Sequence, residues 1–203
     1  MANKPTAEQI KRLPKVLLHD HLDGGLRPQT IIDIAKEISY KDLPTYDAKE
    51  LGDWVAENCN SGNLVRYLEA FTHTVAVMQR REDIVRVSRE CALDLARDGV
   101  VYAEVRGAPE RLLENGLSLD EVVKATVEGF RLGEADAENE GFKIRVEYLI
   151  CGMRHDIHSQ ASAELVPKYK GKGVVGFDIA RSEEHTSELQ SHHDLVCRLL
   201  LEK

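Results

Sequence analysis

The sequence has no Cys-x-x-Cys pair: its four cysteines, Cys59, Cys91, Cys151 and Cys197, stand far apart. That spacing excludes a thiolate zinc knuckle and offers no disulfide framework, so reduced thiols and a cytoplasmic setting are expected. No apolar run approaches the roughly 20 residues of a membrane-spanning helix. The polar, Pro-containing N-terminus does not read as a signal peptide. Lys and Arg nowhere cluster, and 27 of them stand against 35 Asp and Glu, a net charge of −8. A chain of that sign has no electrostatic claim on nucleic acid or on an anionic membrane surface. No Gly-x-Gly-x-x-Gly follows an apolar stretch, which argues against a doubly wound dinucleotide-binding sheet.

What is there is organised around Leu17 to Gly25, LLHDHLDGG. The apolar run Val16-Leu17-Leu18 leads into His19 and His21 with Asp20 between them, and Asp23 and two glycines close the segment. In a strand, side chains alternate faces, so the two imidazoles are expected on one side, where they can share a divalent cation through neutral nitrogen. Gly24 and Gly25 permit a sharp turn or a close approach of backbone to ligand directly after the strand. The alternative reading is two hydrated histidines at a strand end.

The rest of the chain alternates between the two periods. Residues 1–12 read as a polar lead-in and Lys15 to Leu22 as the first strand. Helical spacing follows over Pro28–Ile38, Asp47–Cys59 (Asp47 a candidate N-cap), Leu64–Met78 and Glu82–Arg97, the last ending near Gly99. Val100 to Arg106 is a second strand, and Leu119–Asn139 is a long helix after Ser118 and before Gly141. Ile144–Cys151 is a third strand, Ala161–Tyr169 a helix and Val174–Ala180 a fourth strand. This is the order of parallel βαβ units. Polar groups at the strand ends, His19 and His21, Arg106 and Asp178, are the habit of a (β/α)8 barrel, whose sites lie at the C-terminal ends of its strands. The fold class is therefore α/β, with a TIM-like (β/α)8 barrel favoured over a doubly wound open sheet. Glu104 and Arg106, on one strand face, are expected to form a structural ion pair.

The segment LPKVLLHDHLDGG closely resembles the first strand of adenosine deaminases, with their H-x-H-L-D-G hallmark. The resemblance continues through VVYAEVRGAPERL, LICGMRH and VVGFDIA, spanning Leu13 to Ala180 in family order. It implies that strands 1–4 are the N-terminal half of a zinc-dependent TIM-like (β/α)8 barrel that deaminates adenosine and deoxyadenosine to inosine and ammonia in purine salvage. One Zn2+ per complete barrel is implied, with a small-molecule substrate as partner. His19 and His21 match the first two zinc ligands, and His21 also borders the substrate. Asp23 matches the carboxylate that takes a hydrogen bond from a ribose hydroxyl; Glu is usual there in adenine deaminases, so Asp favours a nucleoside. Leu64, Tyr67, Leu68 and Phe71 match an apolar lid over the purine, although their spacing alone equally describes an amphipathic core face. Met153 matches a pocket wall, with a core methionine the alternative. Asp178 is a candidate for a group that supports the metal ligands. Another purine deaminase of the same superfamily, acting on adenine or a modified nucleoside, is the competing reading.

Family members complete the zinc site and supply the catalytic Glu and His in motifs resembling H-A-G-E, G-H-G and D-D-P, none of which occurs here. After Ala180 the family has an A-G-D-E-like turn, where this chain has Arg181 in place of the Gly. Residues 181–203 are expected to be non-native. In one frame, common short-read adapter text translates to RSEEHTSELQSH and, further on, DLVCRLLLEK, matching Arg181–His192 and Asp194–Lys203. A charged helix native to the protein is the alternative. His185, His192 and His193 are on this account not offered as the missing ligands. With two of four expected ligands and no catalytic Glu, the 203-residue chain is expected to be inactive. Adenosine incubated with chain and zinc should lose absorbance no faster than with a His19→Ala, His21→Ala control.

Overall fold

In the computed structural model the described residues are 4–154 and 156–180. Their strands form one parallel sheet in the order β1-β2-β3-β4, with β1 at Lys15–His21, β2 at Val100–Gly107, β3 at Arg145–Met153 and β4 at Val174–Ala180. Sequential parallel neighbours joined by helices make the partial (β/α) barrel expected from the element order. The helices are α1 (Ala7–Arg12), α2 (Pro28–Glu37), α3 (Ala48–Cys59), α4 (Leu64–Ala76), α5 (Arg81–Arg97), α6 (Leu119–Asn139) and α7 (Ser159–Tyr169).

Several boundaries differ from the sequence reading for local reasons. The lead-in contains α1, because Thr6 and Gln9 form a reciprocal capping box. Strand β1 stops at His21, and Leu22–Gly24 coils into a 3-10 turn that buries Leu22. Strand β3 runs two residues further, to Met153, paired with Ala180. Helix α7 begins two residues early, at Ser159, whose hydroxyl bonds the Met153 and Asp156 carbonyls. Asp47 caps α3 through the Lys49 and Glu50 amides, and Ser118 caps α6 in a box with Glu121, as the sequence suggested. Gly99 and Gly141 follow α5 and α6 with φ of 86° and 87°, the left-handed conformation in which a side chain is strained.

The core lies between the sheet and its helices. Ala103, Val105, Val146, Tyr148 and Ile150 are buried from the sheet, and Ile84, Val87, Val122, Val123 and Phe130 from α5 and α6. Phe130 meets Tyr148 edge-on at 6.3 Å, an arrangement in which a positive ring edge meets a negative face. At the sheet's two ends, Val16 and Leu18 on β1 and Val175 and Ile179 on β4 remain exposed. No helix of the described residues is long and apolar enough to cross a membrane.

Helices α5 and α6 are the tightest pair. A Cβ on Gly129 would sit 2.5 Å from Ser88 Cβ and from the Val85 carbonyl oxygen. One on Gly133 would sit 2.7 Å from Ala92 Cβ and overlap the Arg89 carbonyl. The two glycines, one turn apart, let the backbones touch, and Arg89–Asp136 and Arg97–Glu140 close the rim. Gly133→Ala improves intrinsic helix propensity by about 1 kcal/mol. It should nonetheless lower stability by about 1–3 kcal/mol, because the helices must part. Urea unfolding checks this; a stabilised variant would show that the contact is slack.

Candidate functional site

The end of β1 is built by an irregularity. Leu17 pairs with Ala103 and Asp20 with Val105, so Leu18 and His19 together stand opposite Glu104. Such a bulge bends the strand and re-aims its side chains, a device common beside functional sites. His19 and His21 lie together on one side of this strand end: their Nε2 atoms are 3.3 Å apart and the ring centroids 5.2 Å. Asp20 points the other way and accepts the His21 amide at 2.9 Å; burial raises its carboxyl pKa.

The imidazole pair has a definite electronic problem. Arg106 Nη1 lies 3.1 Å from His19 Nε2, and a guanidinium can only donate. His19 Nε2 then presents its lone pair, and His21 Nε2 must either donate to that same lone pair or face it with its own. Two lone pairs at this separation are repulsive unless a cation lies between them. With metal–nitrogen bonds of about 2.0–2.1 Å in tetrahedral array, two ligating nitrogens stand about 3.3–3.4 Å apart. The observed 3.3 Å fits that donor geometry. Among the described residues no three His, Cys, Asp or Glu groups come together in a way that could hold a metal ion.

A cavity of about 250 Å³ opens beside the pair, lined by His21, Asp23, Tyr67, Phe71, Arg111 and Met153 among others. Tyr67 and Phe71 meet at 5.4 Å with their rings tilted by 53° along α4, and Phe71 meets His21 edge-on at 6.3 Å. The glycines after the strand make no left-handed turn, since neither has a positive φ, and a Cβ on Gly24 would meet the Phe71 ring at 3.5 Å, an ordinary contact distance. Asp23 sits with Oδ1 3.9 Å from His21 Nδ1. Burial raises its pKa, and the nearby Arg111 and Arg106 charges oppose that rise.

The structure thus brings together His19, His21, Asp23, Tyr67, Phe71 and Met153, with Leu68 also on the cavity wall. The side chain of Leu64 lies outside the described residues, as do all of residues 181–203. The expected Glu104–Arg106 ion pair is corrected. Glu104 instead accepts the Tyr102 hydroxyl at 2.9 Å. Arg106, 4% exposed, pairs with Asp178 at 2.7 Å and donates to Cys151 Sγ at 2.9 Å. The long Arg106 side chain reaches past its register partner Leu149 to Cys151 and Asp178, which stand beside each other on β3 and β4.

Sequence reasoning missed Arg111 and Glu110. Glu110, buried in the Pro109–Leu112 turn, accepts the Met153 amide and, at 3.0 Å, the Ser162 hydroxyl. It therefore ties the turn after β2 to the end of β3 and to α7, fixing Met153 at the cavity. The Pro-Glu-Arg triplet was visible, but nothing local marks a glutamate whose partners lie 43 and 52 residues away.

Four parallel strands with helical crossovers, carrying an imidazole pair and a cavity at their C-terminal ends, define a partial (β/α) barrel. The family model described as adenosine deaminase matches residues 14–198, and the chain belongs to that family. It is 57% identical over 183 residues to adenosine deaminase 1 of Streptomyces coelicolor, covering 90% of this chain and 46% of that protein. Against the adenosine deaminase of Mycobacterium tuberculosis it is 52% identical over 183 residues, 90% of this chain and 50% of the relative. The solved structure of the Arabidopsis N6-mAMP deaminase superposes with a TM-score of 0.70 at 28% identity, covering 86% of this chain and 52% of that one. The chain spans about half the length of the curated relatives it matches.

Because burial raises the Glu110 pKa, the folded chain binds that proton more tightly than the unfolded chain does. The group's contribution to stability is thus greatest in acid and falls as pH rises from the ordinary glutamate value, about 4.3, through the raised folded one. Glu110→Gln keeps an acceptor for Met153 and a donor for Ser162, so urea unfolding should show that fall removed. Glu110→Ala leaves the Met153 amide unpaired and should cost about 1–3 kcal/mol, with the larger cost in acid. Equal pH profiles for wild type and Glu110→Gln would contradict the assignment.

Proposed function

We propose that this chain is the metal- and ribose-binding half of a zinc adenosine deaminase. The parent protein would convert adenosine and deoxyadenosine to inosine and ammonia in cytoplasmic purine salvage. The observation that carries the reading is the pair of Nε2 atoms 3.3 Å apart at the edge of a cavity that also holds Asp23. The named adenosine deaminases at 51–57% identity support the reaction. His19 and His21 would hold the cation, which when bound supplies the Lewis acidity that makes hydroxide available near neutral pH.

This chain's own residues would do the binding. Asp23, desolvated and close to two arginine charges, accepts a ribose hydroxyl. Tyr67, Phe71 and Met153 enclose the purine and exclude water, with Leu64 and Leu68 completing that wall. His21, held edge-on by Phe71, orients the ring face toward the cation site. Asp178 acts through Arg106 rather than on substrate. The third His, the Asp ligand and the catalytic Glu of the family match nothing here, so the chain by itself is read as inactive. Residues 181–203 are read as non-native on the strength of their match to translated adapter text, although the family match runs to residue 198. Resequencing past the Ala180 codon decides: continuation into H-A-G-E and D-D-P supports the reading, and a genuine stop after Lys203 contradicts it.

Arg111 favours a second reading, a modified nucleoside monophosphate as substrate. It lines the cavity beside Asp23, and the structural relative at 28% identity is an N6-mAMP deaminase. A substrate panel on the parent separates the two. In that parent, Asp23→Ala should weaken adenosine much more than free adenine, which has no ribose to offer. The loss of a charged hydrogen bond is about 1.5–3 kcal/mol, roughly tenfold to over a hundredfold in binding. Equal losses for the two ligands would make Asp23 structural.

A further inference from the structure

Arg106 is placed oddly for a structural arginine. It is nearly buried at the end of β2, and its two terminal nitrogens are committed to different tasks. Nη2 donates to Cys151 Sγ on β3 at 2.9 Å. Nη1 divides itself between Asp178 Oδ2 on β4, at 2.7 Å, and His19 Nε2 on β1, at 3.1 Å. The second contact is the informative one. It falls on the nitrogen that faces His21 Nε2, which is the nitrogen a shared cation would need. A donor there forces the His19 proton onto Nδ1, so Nε2 is kept as a bare lone pair aimed at its partner.

We propose that Arg106 is the placeholder cation of this site. Its guanidinium caps His19 Nε2 at 3.1 Å and keeps that nitrogen in the ligating tautomer. A divalent cation enters by displacing Nη1 from His19, and Nη1 keeps its contact with Asp178. Asp178 is the counter-charge that makes the hand-over possible, since an arginine driven off one acceptor without another would be buried unpaired. The site is thus pre-organised for metal and simultaneously defended against it, its affinity set by exchange with a side chain. This inference rests on the reading of His19 and His21 as cation ligands.

The test is zinc affinity of the 203-residue chain, measured by competition with a chromophoric chelator. The His19→Ala, His21→Ala chain serves as the baseline. Arg106→Gln removes the competing charge and keeps a side chain able to bond Asp178. It should bind zinc at least about tenfold more tightly than wild type, as expected from deleting a unit charge at ligand distance. An unchanged or weaker affinity in a variant with native near-ultraviolet dichroism overturns the placeholder role. Zinc binding that ignores the double histidine substitution in both backgrounds overturns the metal reading itself. If Arg106→Gln does not fold, the wild-type chain decides by NMR. Zinc should shift the Arg106 guanidinium resonances and leave those of Arg89, at the α5–α6 rim, in place. Arg106 resonances that stay put at saturating zinc overturn the proposal.

Discussion

One buried guanidinium holds the end of the sheet together. From β2, Arg106 reaches β1 through His19, β3 through Cys151 and β4 through Asp178, so all four strands meet at one side chain. A charge so placed is costly to desolvate and is tolerated only with its hydrogen bonds filled. The parallel register sets Arg106 level with His21 and Leu149, and Cys151 level with Asp178 two residues further on, so the long side chain spans these levels to reach its partners. The histidine pair, the cavity floor and the strand alignment therefore depend on a common contact.

The helix layer supplies rigidity, and the loops after the strands supply the cavity. Helices α5 and α6 approach through Gly129 and Gly133 and form the slab against which the buried faces of β2 and β3 pack. Above the slab, the Leu22–Gly24 turn, the Pro109–Leu112 turn and α4 converge on the strand ends. Glu110 anchors the second of these turns to Met153, and Phe71 fits against Gly24 and His21. The division of labour is that of barrel folds generally, with a stable scaffold and function at the C-terminal ends of the strands.

Much of this was legible in the chain. Apolar runs of strand length separated by helical spacing give a parallel order, and LLHDHLDGG marks its first strand end without any structure. Local cues also served well where the physics is local: Asp47 and Ser118 cap their helices, and Gly99 and Gly141 end them. The same cue lay unread at Thr6 and Gln9, whose capping box makes a helix of an apparently featureless lead-in. What the sequence could not yield depends on register. The bulge at Leu18 and His19 exists only relative to β2, and strict alternation reached the right pairing of imidazoles without it. Arg106 looked like Glu104's partner because both are in one heptapeptide, whereas its real partners arrive from 45 and 72 residues later.

The central claim is that the bulged end of β1 sets two imidazole nitrogens to share one cation. Loading the chain with Co2+ and recording the paramagnetically shifted imidazole resonances tests it most directly. The account predicts two ligated rings, His19 and His21, both bound through Nε2 with their Nδ1 protons visible and shifted. Signals from a single ring, or ligation through Nδ1, would contradict it.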